Sequence, residues 1–379
     1  MKLIRRLCTL AVLAVMAFTT PGFAADEPID FNRARQLFEK QKREGLTPDE
    51  KAYLERAVAE HNKQGPGRPP GGGGGGGARP AAWTQHLLPL TELGTGKYKD
   101  QDGGLYGGGS NVPPAAHLAA AMKEAAKIVP LDGEGKPSPT GKIGLLSVGM
   151  SNVTQEYSLF VSEANRDAEK SPSVVLIDGA QGGQTGTRWA DPKTPLWAEV
   201  DRRLAAAGVS ARQVQAVWLK QAEAGPAALG DFPKHAQVLK DNLVKCLALL
   251  KERFPNLRIV YVSSRIYAGY ASTMLNPEPY AYETAFSMRW LIQDQIAGKP
   301  ELNYDPAHGE VKSPLLLWGP YLWADGQTAR KSDGLTWAPE DLGPDGTHPS
   351  NAGREKVAAQ LLKFFKTDAT AKGWFVKGK

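Results

Sequence analysis

Five short apolar runs set the terms for this chain. KIGLLSV (142–148), SVVLID (173–178), VQAVWL (214–219), RIVYVS (258–263) and PLLLW (314–318) are continuously apolar rather than alternating. A strand with one wet face alternates with a period of two, whereas a continuous run fits a strand buried on both faces. Helical patterns separate the runs, most clearly at 235–253, 279–297 and 350–366. Strand–helix alternation predicts an α/β fold, a three-layer sandwich with helices on both sides of a five-stranded parallel sheet. In such sheets, ligands bind beyond the carboxyl ends of the strands. The segments that directly follow the runs are therefore where chemistry is expected.

The first 82 residues do not belong to this pattern. Residues 1–24 have a basic start (Lys2, Arg5, Arg6), an apolar stretch of roughly a dozen residues and a small-residue end at Ala24, which reads as a secretory signal peptide cleaved near Ala24. The expectation is an exported protein, periplasmic or extracellular, with no transmembrane segment in the mature chain. Removing the leader lowers the net charge from +6 to +3, 43 basic against 40 acidic residues. No compact basic patch remains, so no nucleic-acid partner is expected. Cys246 becomes the single cysteine, which excludes an intrachain disulfide, and LVKCLALL places it on the apolar side of a helix.

Residues 25–64 read as a small N-terminal helical hairpin. Phe31, Ala34, Leu37 and Phe38 share one face. Thr47-Pro48-Asp49-Glu50 supplies a cap, a proline at the first helical position and a capping-box glutamate, and Tyr53, Leu54, Ala57 and Val58 form the second apolar face. Two short helices bury little surface and are marginal alone. Residues 65–82, containing GPGRPPGGGGGGGARP, form a Gly/Pro-rich linker that cannot pack a core. The main domain occupies 83–379.

At the strand ends, the first run leads into GMSN. Gly149 permits a sharp turn, and Ser151 stands just past the strand tip at a helix start, where it either caps the helix or offers a nucleophilic hydroxyl. The second run leads into DGAQGGQTG, where adjacent glycines let backbone approach a ligand and the Gly183 N–H could donate to an oxyanion. The third leads into KQAE: the Gln221 amide is a further oxyanion donor, and Glu223 could orient it or bind a sugar hydroxyl. After the last run comes a long loop ending in DGTHPSN. A hydroxyl needs a base to become a nucleophile, and histidine suits the task near neutral pH. Asp345, three residues before His348, can fold back onto its ring, with Gly346 easing the turn, while Ser350 caps the following helix.

SSRIYAGY and GPYLWADG also directly follow runs, which makes Arg265, Tyr267 and Tyr321, with Trp318 at the end of the last run, candidates for substrate binding beside Glu223. Aromatic faces suit sugar rings, and they equally serve to pack large loops. Asp100 and Asp102 could suggest calcium, but the other ligands of such a loop are missing. No His/Asp/Glu grouping has metal-site spacing, and the glycines at 107–109 follow no clear strand, so neither a metal nor a dinucleotide cofactor is expected.

GMSN, GAQGGQT, KQAE and DGTHP together resemble the four spaced blocks of SGNH (GDSL-type) hydrolases over about Lys142 to Phe365. The resemblance implies a flavodoxin-like sheet, Ser151 as nucleophile, Asp345 and His348 as acid and base, and Ser151 and Gly183 N–H groups lining the oxyanion hole. Gln221-Ala222-Glu223 is similar to the Gln-Gly-Glu of sialate O-acetylesterases and related acetylxylan esterases, which implies Gln221 as the third donor and an acetylated carbohydrate or another small ester as substrate. The expected activity is that of a secreted carboxylesterase with residues 83–379 as its catalytic domain. A non-catalytic carbohydrate-binding protein on the same fold, or a lipase- or thioesterase-type hydrolase, are the alternatives.

Overall fold

The structure, a computed structural model, describes Leu37, residues 45–63 and residues 80–378. The chain divides into two compact units, Met1–Gly74 and Gly75–Lys379. The expected signal peptide, the first helix of the hairpin apart from Leu37, and the linker up to residue 79 lie outside the described residues.

In the first unit, α1 (Pro48–Lys63) begins at the expected capping box. Glu50 N–H donates to Thr47 Oγ1 at 3.3 Å and Thr47 N–H donates to Glu50 Oε2 at 3.0 Å, so two orphan donors of the helix start are satisfied reciprocally. Tyr53, Leu54 and Ala57 are buried in one cluster with Leu37.

The second unit opens with a small hairpin of β1 (Lys97–Tyr98) and β2 (Gln101–Asp102), followed by α2 (Ala115–Ala125). The hairpin turn uses Lys99 and Asp100 at φ 43° and 68°. Asp102, weighed above as a calcium ligand, instead receives Arg289 Nη1 at 3.0 Å and Gly108 N–H at 2.7 Å.

The main sheet then forms from β3 (Ile143–Gly149), β4 (Val174–Asp178), β5 (Val214–Lys220), β6 (Ile259–Val262) and β7 (Leu315–Trp318). Between and after them run α3 (Ser151–Arg166), α4 (Gly186–Trp189), α5 (Leu196–Ala206), α6 (Lys234–Arg253), α7 (Tyr280–Ile296), α8 (Asn351–Thr367) and α9 (Lys372–Phe375). The sheet order is β4-β3-β5-β6-β7, and every neighbouring pair is parallel. Numbered by appearance within this sheet, the order is 2-1-3-4-5, that of flavodoxin-like folds. Every residue of β3, β5, β6 and β7 is buried, which is why their apolar runs do not alternate.

Helices α3 and α8 pack together in one layer, and α6 and α7 in the other. Phe160 of α3 meets Phe365 of α8 at 5.7 Å between ring centroids, and Tyr157 stacks on Trp218 of β5 at 5.8 Å. Truncating a wholly buried ring such as Phe160 to alanine costs about 3–5 kcal/mol. Cys246, on α6, is fully buried, and burial pushes its thiol up to about 12, consistent with a packing role.

The winding direction reverses between β3 and β5, so the switch point lies at their paired tips, Gly149 and Lys220. A Cβ on Gly149 would stand 2.3 Å from Val153 Cγ2 and 2.4 Å from Lys220 O. Only glycine lets the chain leave β3 and enter α3 this close to β5.

Candidate active site

Ser151 is the first residue of α3, and Met150 holds the capping position without a side-chain cap. The serine hydroxyl is therefore not spent on the helix end. Its Oγ lies 2.7 Å from His348 Nε2. On the other side of the ring, His348 Nδ1 lies 2.5 Å from Asp345 Oδ2. Residues 197 positions apart meet because α3 begins at the tip of β3 while the DGTHP loop crosses above it. Asp345 accepts a hydrogen from Nδ1, which fixes the tautomer that leaves Nε2 free to take the serine proton.

The loop that carries the pair is held from several sides. Asp345 Oδ1 accepts the N–H groups of Thr347 and His348, each at 3.0 Å. Ser272 N–H donates to Asp345 O at 2.9 Å, and Gly343 N–H to His348 O at 2.7 Å. Ser350 Oγ accepts from Gly353 N–H at 3.4 Å and so caps α8. Asn152, buried beside Ser151, donates its amide to Thr347 O at 2.9 Å and ties α3 directly to the loop. The quoted GMSN block contained this asparagine, but nothing local revealed its partner 195 positions away.

Burial raises the Asp345 carboxyl, but the hydrogen bonds from His348 and Thr347 outweigh it and hold the group at about 2, against an ordinary 3.8. A depressed carboxyl contributes stability that is present above about pH 4 and is lost as pH falls through about 2. The shift corresponds to about 2 kcal/mol. Asp345→Asn should abolish this acid-dependent increment. Urea midpoints measured between pH 4 and pH 2 should fall less steeply for the variant than for the parent, and parallel curves would refute the linkage.

The glycine loop faces Ser151. A Cβ on Gly182 would stand 3.8 Å from the Ser151 Cβ, and Gly183, at φ +74°, has open space beyond it. The N–H groups of Ser151 and Gly183 have no acceptor among the described residues. Gln181 N–H at 3.1 Å and the Trp189 indole at 3.3 Å both donate to Gly149 O, which fastens the loop to the β3 tip. Gln221 donates one amide hydrogen to Gln184 O at 3.1 Å, leaving a second hydrogen on the same nitrogen.

The residues expected to bind substrate are buried. Glu223 is buried, accepting from Thr187 Oγ1 and Asn242 Nδ2, each at 3.0 Å, and a Cβ on Gly186 would stand 2.4 Å from its Oε1. It braces the start of α4, and burial pushes its carboxyl up. Arg265 is 3% exposed, with Nε and Nη2 lacking partners, among the charges of Glu156, Glu278 and Asp345. Tyr267 is packed against Tyr270 and Trp323. Trp318 donates its indole N–H to Leu105 O at 2.7 Å, and the Tyr321 hydroxyl accepts from Leu90 N–H at 3.0 Å. Both rings are buried and present no open face. The loops after the strands fold back onto the sheet and need these aromatics as their own core.

Sequence reading missed the pair beneath the site. Lys220 Nζ lies 2.6 and 2.5 Å from the two carboxylate oxygens of Glu156, with both side chains buried. Burial pushes the ammonium down to about 8 and the carboxyl up, while their mutual attraction opposes both shifts. No local signal joins two residues 64 positions apart.

No protein-family model matches the chain. No curated protein matches it. Among solved structures, the chain is similar to the lipase Lip_vut3 from a goat rumen metagenome, at 14% identity over 60% of this chain and 100% of that one, with a TM-score of 0.35. It is also similar to the salicylyl-acyltransferase SsfX3 from a tetracycline biosynthetic pathway, at 16% identity over 60% and 55%, with a TM-score of 0.34. A protein from Arabidopsis thaliana is similar at 14% identity over 56% and 67%, with a TM-score of 0.31.

Proposed function

We propose that this chain is a serine esterase that removes short acyl groups, chiefly acetyl, from carbohydrate esters. The observation that carries the reading is the continuous hydrogen-bonded line from Ser151 Oγ through His348 to Asp345, at 2.7 and 2.5 Å. Three polar groups in this order do what a serine cannot do alone: a base accepts its proton, and a fixed anion stabilises the imidazolium that results.

In the reaction, Ser151 Oγ attacks the ester carbonyl carbon as its proton passes to His348 Nε2. The carbonyl oxygen becomes an oxyanion within reach of the Ser151 and Gly183 N–H groups and the remaining Gln221 amide hydrogen. Collapse of the tetrahedral intermediate expels the sugar alkoxide, which takes the proton from His348. Water then gives up a proton to the same nitrogen and attacks the acyl-serine; collapse of this second intermediate breaks the Oγ–acyl bond, the proton returns from His348 to Ser151 Oγ, and the acid leaves. Both Ser151 and His348 are half-buried and the glycine loop is exposed, which suits an ester displayed on a bulky alcohol. The four sequence blocks similar to SGNH hydrolases support the same chemistry, and the leader-like residues 1–24 support action outside the cytoplasm.

The test is a panel of p-nitrophenyl acetate, longer p-nitrophenyl esters and acetylated sugars given to the purified protein, with a fluorophosphonate probe and peptide mapping in parallel. The expected result is preference for acetyl esters and a single label on Ser151. Turnover without a label on Ser151, or no turnover of any ester, sinks the reading.

A further inference from the structure

Lys220 and Glu156 take no part in the reaction above, yet they form a fully buried ion pair at the switch point of the sheet. Such a pair is a poor source of net stability, because desolvation of two charges consumes most of their attraction. What it does impose is geometry: the ammonium must sit within hydrogen-bond reach of the carboxylate, and in a dry site no water can substitute.

The two residues lie on the two segments whose relative position matters most. Lys220 is the last residue of β5, directly before Gln221, and it pairs in register with Gly149. Glu156 lies on α3, five residues after Ser151 and on the same helix. Three titratable groups act on Glu156 from other elements: Lys220 on β5, Arg265 after β6 and His348 on the DGTHP loop. The pair thus spans the gap between the nucleophile helix and the strand tip that carries an oxyanion donor.

We propose that the buried Lys220–Glu156 pair is a positioning device that fixes the tip of β5, and with it Gln221, against the helix that carries Ser151. The proposal rests on the esterase reading for its kinetic consequence, and on the geometry alone for its structural one. An apolar pair would fill the same space but could slide along the strand direction. The ion pair cannot slide without stranding a buried charge.

The test is the double variant Lys220→Met/Glu156→Met in the full chain, which removes both charges together. It should fold with a Tm within a few degrees of the parent, since replacement of buried ion pairs by apolar residues is often neutral. Its kcat on p-nitrophenyl acetate should fall about tenfold to a hundredfold with KM unchanged, the cost of a misplacement on the order of 1 Å. Hydrogen exchange should quicken at 151–156 and 220–223 and nowhere else in the sheet. Lys220→Gln/Glu156→Gln, which keeps a hydrogen bond across the gap, should recover part of the lost kcat. A folded double variant with parental kcat and parental exchange overturns the proposal. So does failure of both double variants to fold, which would make the pair a stability element. If the parent itself hydrolyses no ester, the esterase reading fails separately, and exchange at the two segments still decides whether the pair positions them.

Discussion

Ser151→Ala is expected to lower kcat for acetyl-ester hydrolysis by a factor on the order of 10³ or more while leaving the fold intact. Among the described residues the hydroxyl makes one hydrogen bond, to His348, so its loss should move stability by only about 1 kcal/mol. His348→Ala should be similarly damaging, and the double variant should be little worse than either single one. Groups that act as one unit are not additive, since the first deletion already abolishes the pathway. Steady-state rates for the three variants, beside thermal melts, check this. If Ser151→Ala retains most of its activity, the hydroxyl is not the nucleophile. Additive losses in the double variant would mean that Ser151 and His348 work independently.

Gly346→Ala should strike both stability and activity, through the backbone. Gly346 stands at φ +64°, where a Cβ is strained, and that Cβ would lie 1.9 Å from Tyr270 O. Neither partner can yield cheaply. Tyr270 is held by its hydroxyl to Trp337 O at 3.1 Å, and its neighbour Ser272 grips Asp345 O. The loop must therefore shift, and it carries Asp345 and His348 on either side of the glycine. The expected cost is about 2–4 kcal/mol in stability and at least about a hundredfold in kcat. Gly334→Ala is the control, with a similar φ of +73° but nothing within 4 Å of the new Cβ. It should cost only about 1 kcal/mol and leave kcat unchanged. Equal behaviour of the two variants would mean that backbone strain, and not the approach to Tyr270, governs this loop.

Some of the site was legible because its parts are local. Asp345 and His348 lie three residues apart on one loop, and a capped helix follows immediately, so their meeting is within the reach of a single turn. The tip of β3 was legible for the same reason: a buried run, a glycine and a serine in succession. The Thr47–Glu50 capping box is local in the same way, and its two hydrogen bonds form as the spacing predicts. How deeply the aromatic loops are buried was not legible, because burial is not a local property. Trp318 ends β7 and Tyr321 follows it, as ligand-binding residues often do, but whether a ring faces a cleft or the interior depends on what folds over it. Here Leu105 and Leu90, more than 200 positions earlier, cover both. The partners of Glu223 were hidden likewise, since Thr187 and Asn242 hold it from two separate elements.

By itself the sequence determined the parallel α/β sheet, because five runs too apolar for a half-wet strand must be buried on both faces, and the helices between them are the means of doing so. Only the tertiary structure decided that Ser151 faces His348, that Asn152 ties their segments together, and that Lys220 meets Glu156. Those contacts join residues 64 to 197 positions apart. Periodicity reports which side of an element is dry, and carries no information about which distant element lies against it.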